Sequence, residues 1–225
     1  MMDDYLSFEQ IPFGSDSFAN NPEPRCPCVL LLDTSGSMAG KPLDELNAGI
    51  QVFKKELMRD SLACKRVEIA MVTFGPVTVQ SHFETVPNFH PKELNTTGDT
   101  PMGEAILMGI DLVAQRKKVY KENGIAYYKP WIILITDGSP TDEYAEAAEK
   151  IIVGENAKAF AFFAIGVEGA DFNILNKIAA RKPLKLKGLL FREFFIWLSA
   201  SMKMVSVKEI GSTINLIPPI GWAEL

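Results

Sequence analysis

Three short stretches are apolar at nearly every position: "CVLLLD" ending at Asp33, "WIILITD" ending at Asp137 and "AFAFFAIGV" ending at Val167. A strand with one wet face alternates apolar and polar side chains. One that is apolar throughout is buried on both faces, so layers must cover the sheet on each side. The segments between these runs have helical spacing instead. "LDELNAGIQVFKKELMRD" places Leu43, Leu46, Ile50, Phe53 and Leu57 on one helix face, with Pro42 suited to the first turn. Helical segments are also expected in "PMGEAILMGIDLVAQRKKVYKE", "TDEYAEAAEKIIVGENAK", "DFNILNKIAA" and "REFFIWLSASMKMVSV". "VEIAMVTFG" and "VTVQSHFETV", separated by little more than Gly75 and Pro76, read as a β-hairpin with one strand antiparallel at an edge. "LKLKGLLF" reads as a further edge strand or an extended segment. The expected fold is therefore α/β, Rossmann-like and doubly wound. Its sheet is mostly parallel and six-stranded, with one antiparallel edge strand and helices on both faces.

With 225 residues, 47% of them hydrophobic, the chain can bury one sizeable core. Three parts are expected: a leader over residues 1–25, a domain over 26–208, and a tail over 209–225 packed on the domain. The net charge of −5 excludes the broad basic face that nucleic acid requires and disfavours anionic membranes. The opening "MMDDYLSFEQ" is acidic and has no apolar h-region, and no apolar run approaches the roughly 18 residues of a membrane span. The cytoplasm is the expected compartment. Three cysteines form no disulfide framework, and "RCPC" at Cys26 and Cys28 lacks nearby histidines for zinc, so reduced structural thiols are expected.

In a doubly wound sheet, ligands bind beyond the carboxyl ends of the strands. Asp33 and Asp137 both end strands, and the Thr100 loop leads into a helix on the same rim. After Asp33 the chain reads "TSGSMAGK", which three chemistries could use. A phosphate loop needs four residues between its glycines and a hydroxyl after the lysine; "GSMAGK" has three, followed by Pro42. A magnesium-dependent phosphohydrolase of haloacid-dehalogenase type needs a second acid two residues after the first. That position is Ser35, so the reaction loses its proton donor, although Asp137 and Asp142 imitate the later acids. Serine nucleophile chemistry has neither G-x-S-x-G nor a histidine in these loops.

The third chemistry is a hard cation. Ser35 and Ser37 lie two apart in an extended loop, Thr100 and Asp137 arrive from two other loops, and Asp33 braces the first. All-oxygen donors suit Mg²⁺, with Mn²⁺ or Ca²⁺ as alternatives. Two carboxylates and three neutral hydroxyls leave a divalent ion electrophilic at an open position. The group suited to that position is a carboxylate from a partner protein. No catalytic or cofactor-binding residue is expected, and the chain reads as a binding module rather than an enzyme. Singly, each residue is a commonplace loop or capping residue; the expectation rests on their convergence.

The set D-x-S-x-S (Asp33, Ser35, Ser37), the threonine of "GDTPMGEAI" and the aspartate of "ILITDG" resembles the metal-ion-dependent adhesion site (MIDAS) of von Willebrand factor type A domains. The likeness runs from about Cys28 to Val207. By resemblance, Ser35, Ser37 and Thr100 ligate the ion, with Asp33 and Asp137 acting directly or through water. Gly98-Asp99-Thr100 departs from the Gly-Gly-Thr of many relatives. The "KPLDELNAGIQVFKKEL" helix and the segment "PLKLKGLLFREFFIWLSASMKMVS" are similar to the bacterial TerY-type branch associated with tellurium resistance and stress response. That likeness implies an operon-encoded partner, a kinase-like protein or a phosphatase.

Overall fold

The computed structural model describes residues 18, 20–212 and 216–224. The expected leader therefore lies outside the described residues as far as residue 17. Strand β1 (Cys26–Asp33) is buried at all eight positions, as is β2 (Val67–Phe74), while β4 (Trp131–Thr136) and β5 (Ala161–Gly166) are almost wholly buried. β3 (Thr78–Thr85) alternates exposed and half-buried positions along its first six residues, the signature of an edge with one wet face. Two further strands, β6 (Leu184–Leu186) and β7 (Ala223–Glu224), complete a sheet of order β3-β2-β1-β4-β5-β6-β7. The pairings β1–β2, β1–β4, β4–β5 and β5–β6 are parallel; β2–β3 and β6–β7 are antiparallel.

The mostly parallel sheet with an antiparallel edge is as expected. The count is seven strands rather than six, because the tail adds β7. "LKLKGLLF" forms a strand only over its first three residues and is flanked on its outer side by β7, so it is not an edge. The Lys187 amide donates to the Trp222 carbonyl at 2.7 Å, and Trp222 itself is buried. That burial supplies the apolar surface that draws the tail in.

Helices cover both faces. On one lie α1 (Lys41–Met58), α2 (Ser61–Arg66) and α6 (Phe191–Ser206), packed on Cys26, Cys28, Leu30 and Leu32 of β1. On the other lie α3 (Met102–Glu122), α4 (Ala145–Asn156) and α5 (Phe172–Ile178), packed on Val29 and Leu31. Leu43, Leu46, Ile50, Phe53 and Leu57 are all buried, as their spacing requires, and Pro42 stands in the first turn of α1. Cys26 and Cys28 are free and fully buried; burial pushes the Cys26 thiol up to about 12, so neither is a reactive thiol at neutral pH. Among the described residues, no helix is long and apolar enough to cross a membrane.

Candidate metal centre

β1 and β4 lie side by side in register, with Leu32 opposite Ile135, so the loops that follow them emerge together. Asp33, fully buried at the end of β1, has both carboxylate oxygens engaged. Oδ1 accepts the Ser35 amide at 2.9 Å, and Oδ2 accepts the Thr136 hydroxyl at 2.5 Å. The Thr136 hydroxyl in turn accepts the Gly138 amide at 3.2 Å. Ser35 precedes a short 3-10 turn over Gly36–Met38 but makes no side-chain cap, so its hydroxyl is not spent on the backbone. Instead the Ser35 Oγ lies 3.1 Å from the Ser37 Oγ, and the Ser37 hydroxyl donates to Asp137 Oδ1 at 2.7 Å. Thr100 joins from the third loop. The point where a Cβ on Gly138 would stand is 3.6 Å from Thr100 Oγ1 and 4.0 Å from Ser37 Oγ. All five residues singled out in the sequence therefore meet at one rim, and all but Ser37 are buried. Asp99 is exposed.

The rim is held by its backbone. The Thr34 amide donates to the Phe74 carbonyl at 3.1 Å, the Thr97 amide to the Thr34 carbonyl at 2.8 Å, and the Gly36 amide to the Gly98 carbonyl at 3.3 Å. Gly75 and Gly98 approach so closely that a Cβ on either would lie 2.4 Å from a backbone oxygen of the facing segment, Thr97 or Gly75 respectively. The loop after β4 secures the third segment. The Thr100 amide donates to the Thr141 hydroxyl at 3.1 Å, and the Thr141 amide to the Thr100 carbonyl at 2.9 Å. The Asp142 carboxylate accepts the Gly103 and Glu104 amides at 3.0 and 2.8 Å, capping α3 from outside that helix. Thr136, Thr141 and Asp142 are the residues that the sequence reading missed as supports. A hydroxyl inside the otherwise apolar "WIILIT" was the one available signal.

Burial raises the pKa of Asp33; the bonds from Ser35 and Thr136 oppose this, and the nearby Asp137 adds to it. Asp137 is likewise raised by burial, against the Ser37 bond. Two carboxylates that are costly to ionise at one rim favour a cation there. Among the described residues no cluster of three or more His, Cys, Asp or Glu is present, and the polar groups gathered at this rim are hydroxyls and carboxylates, the hard oxygen donors. The spacing fits a hard ion. With metal–oxygen bonds of roughly 2.0–2.1 Å, neighbouring ligands of an octahedron stand about 2.9 Å apart, and the Ser35–Ser37 and Ser37–Asp137 separations of 3.1 and 2.7 Å bracket that value.

An open, mostly parallel α/β sheet with hydroxyl and carboxylate oxygens gathered at its carboxyl rim defines a class of domains rather than one protein. Within that class the chain belongs to the von Willebrand factor type A domain family, whose sequence model matches residues 28–193. Domains of this family mediate protein–protein adhesion and often depend on a metal ion. No curated protein matches the chain. Among solved structures it is similar to the open conformation of the pilus adhesin SpaC from Lactobacillus rhamnosus GG, with 14% identity over 81% of this chain and 30% of that one, at a TM-score of 0.62. It is also similar to proximal thread matrix protein 1 of the mussel byssus, with 16% identity over 80% and 48%, at 0.56. A third is the ArnB paralog VWA2 from Sulfolobus acidocaldarius, with 16% identity over 79% and 45%, at 0.50. At these identities the likeness is one of fold, and the chain spans less than half the length of each of the three.

Proposed function

We propose that this domain is a metal-dependent protein-binding module. Ser35, Ser37 and Thr100 hold a divalent cation, Mg²⁺ in preference to Mn²⁺ or Ca²⁺, with Asp33 and Asp137 contributing directly or through water. The bound ion supplies an electrophilic position open to a carboxylate of the partner protein. The observation that carries this reading is the run of Ser35 Oγ, Ser37 Oγ and Asp137 Oδ1 at 3.1 and 2.7 Å beside an Asp33 whose two oxygens are already engaged. Asp33 orients the Ser35 amide and offers charge from behind, while Ser37 alone of the five is exposed to solvent.

The phosphohydrolase alternative needs free acids, and both oxygens of Asp142 are turned to the amides of α3. The TerY-type likeness of the sequence supports a role for the module in a bacterial tellurium-resistance or stress-response system. Its partner would be an operon-encoded kinase-like protein or phosphatase, and its three free cysteines suit a reducing cytoplasm.

Calorimetric titration with MgCl₂ and MnCl₂ tests the reading. Ser35→Ala and Asp137→Ala should each weaken binding by about tenfold or more while the thermal unfolding midpoint in chelator stays close to that of the parent. Unchanged affinity in both variants would remove the site. A parent that turns over p-nitrophenyl phosphate, and loses that turnover as Asp33→Asn, would favour the enzyme reading.

A further inference from the structure

At the end of the sheet away from this rim, the first residues of β4 and β5 open onto a cleft of about 560 Å³. Its floor is aromatic, with Tyr127, Trp131 and Phe163, and its edge carries Lys117, Lys129 and Lys158. Among the described residues Glu209 is the only acid lining it. Lys129 and Lys158 are exposed, and among the described residues neither is in an ion pair. Arg181 belongs to the floor: its guanidinium lies 5.3 Å from the Phe163 ring centre and is held by Glu155 at 2.9 Å. Lys117 donates to the Ala159 carbonyl at 3.3 Å, and burial together with the neighbouring Lys121 lowers its pKa, so an added negative charge there is favourable. A shallower hollow of about 290 Å³ continues from Phe163 and Arg181 to Trp197 and Pro218. Together they form a groove with an apolar floor, which suits an extended peptide better than a compact ion.

Lys158 itself points the same way. It follows α4 with φ of 55°, the left-handed conformation at which helices usually end in glycine or asparagine. The reversal is closed by the Lys158 amide on the Glu155 carbonyl at 2.9 Å and the Ala159 amide on the Gly154 carbonyl at 2.8 Å. Glycine would serve this backbone better, so folding gives no reason for a lysine here. The chain as a whole carries −5, yet at this groove Lys129 and Lys158, without an ion pair among the described residues, stand beside apolar surface.

We propose that this groove is a second docking site, which takes an acidic peptide segment of a partner protein through an aromatic or aliphatic anchor on the half-buried Tyr127 and Phe163 and through carboxylates on Lys129 and Lys158. The site needs no metal ion, so it stands or falls separately from the rim. The test is fluorescence anisotropy of a fluorescein-labelled peptide, Asp-Glu-Asp-Phe-Glu-Asp-Leu-Glu, titrated with the full chain in chelator at low ionic strength. Saturable binding is expected. It should weaken about tenfold in the double variant Lys129→Glu/Lys158→Glu and about threefold in Lys158→Gly, fade with added salt, and be unaffected by Ser35→Ala. Because Lys158→Gly relieves the backbone, its unfolding midpoint should equal or exceed the parent's, which separates lost binding from lost fold. Absence of saturable binding, or binding retained in the double variant, overturns the proposal. So does inorganic pyrophosphate binding with the same variant dependence when the peptide does not bind, which would make the groove a small-anion site.

Discussion

Asp33 is fully buried, with Oδ1 on the Ser35 amide and Oδ2 on the Thr136 hydroxyl, and burial still holds its carboxyl above the usual 3.8. A folded-state pKa above the unfolded one means that the folded chain binds this proton more tightly. The resulting contribution to stability is complete below the unfolded value and is lost as pH rises through the raised folded value. Asp33→Asn removes that titration and keeps an acceptor for the Ser35 amide. Measured by denaturant unfolding in chelator, the parent should lose stability relative to this variant as the pH rises above about 4. Parallel curves for the two proteins would show that Asp33 titrates as an ordinary surface carboxyl. At this scale the sequence was informative where the chemistry sits within one loop. Asp33, Ser35 and Ser37 are two apart, and their convergence was legible. Thr136 and Asp142 act on partners from other loops, a relation set by the packing of β1, β4 and α3 and invisible to spacing.

Among the elements, α1 and α6 pack tightly at Gly49, where a Cβ would stand 2.6 Å from Phe195 Cδ2 and 3.2 Å from Phe191 Cβ. Any larger side chain must push α6 off the sheet or force Phe195 from its place. Gly49→Val is expected to cost about 1–3 kcal/mol in urea unfolding, in contrast to a substitution at the exposed Gln51 on the same helix. An unchanged midpoint for Gly49→Val would mean that the two helices are not held at this distance. The strands β1, β2, β4 and β5 and helix α1 were readable because long runs of burial impose a period. β7 was not, since two residues carry no period and its pairing depends on Trp222 reaching the core from the tail; "LKLKGLLF" was read as a strand, but the shortness of β6 and its place inside the sheet were not legible.

Across the molecule, one buried cluster joins three separate stretches of chain at the end of the sheet opposite the rim. Glu68, at the start of β2, accepts Arg25 Nε at 2.9 Å, Arg116 Nη2 at 2.7 Å and the Tyr120 hydroxyl at 2.5 Å. Burial foremost, and then the Glu68 charge, keep the Tyr120 phenol protonated and donating. Phe18 lies between the two guanidiniums, 5.3 and 5.2 Å from their centres. Glu68→Gln would leave two cations facing each other without their carboxylate, and a loss of about 3–5 kcal/mol is expected by denaturant unfolding. A loss below about 1 kcal/mol would mean that water already screens the pair. Nothing in the sequence linked Glu68 to Arg25 or Arg116. Topology was legible at the level of alternating elements, but which charges meet in the interior was not.

The hydrogen bonds from backbone amides that tie the segments of Thr34, Gly36, Thr97, Thr100 and Thr141 together form when the chain folds. An ion held there as proposed above would thus find the loops already in place and would have only to displace the Ser37 hydroxyl from its bond to Asp137. The slow event would then be shedding of the ion's own hydration shell, which Mg²⁺ gives up reluctantly. Under that regime the speed of loading would be set by the visitor's water exchange, fastest for Ca²⁺ and slowest for Mg²⁺, while the protein's motions would leave no mark on it.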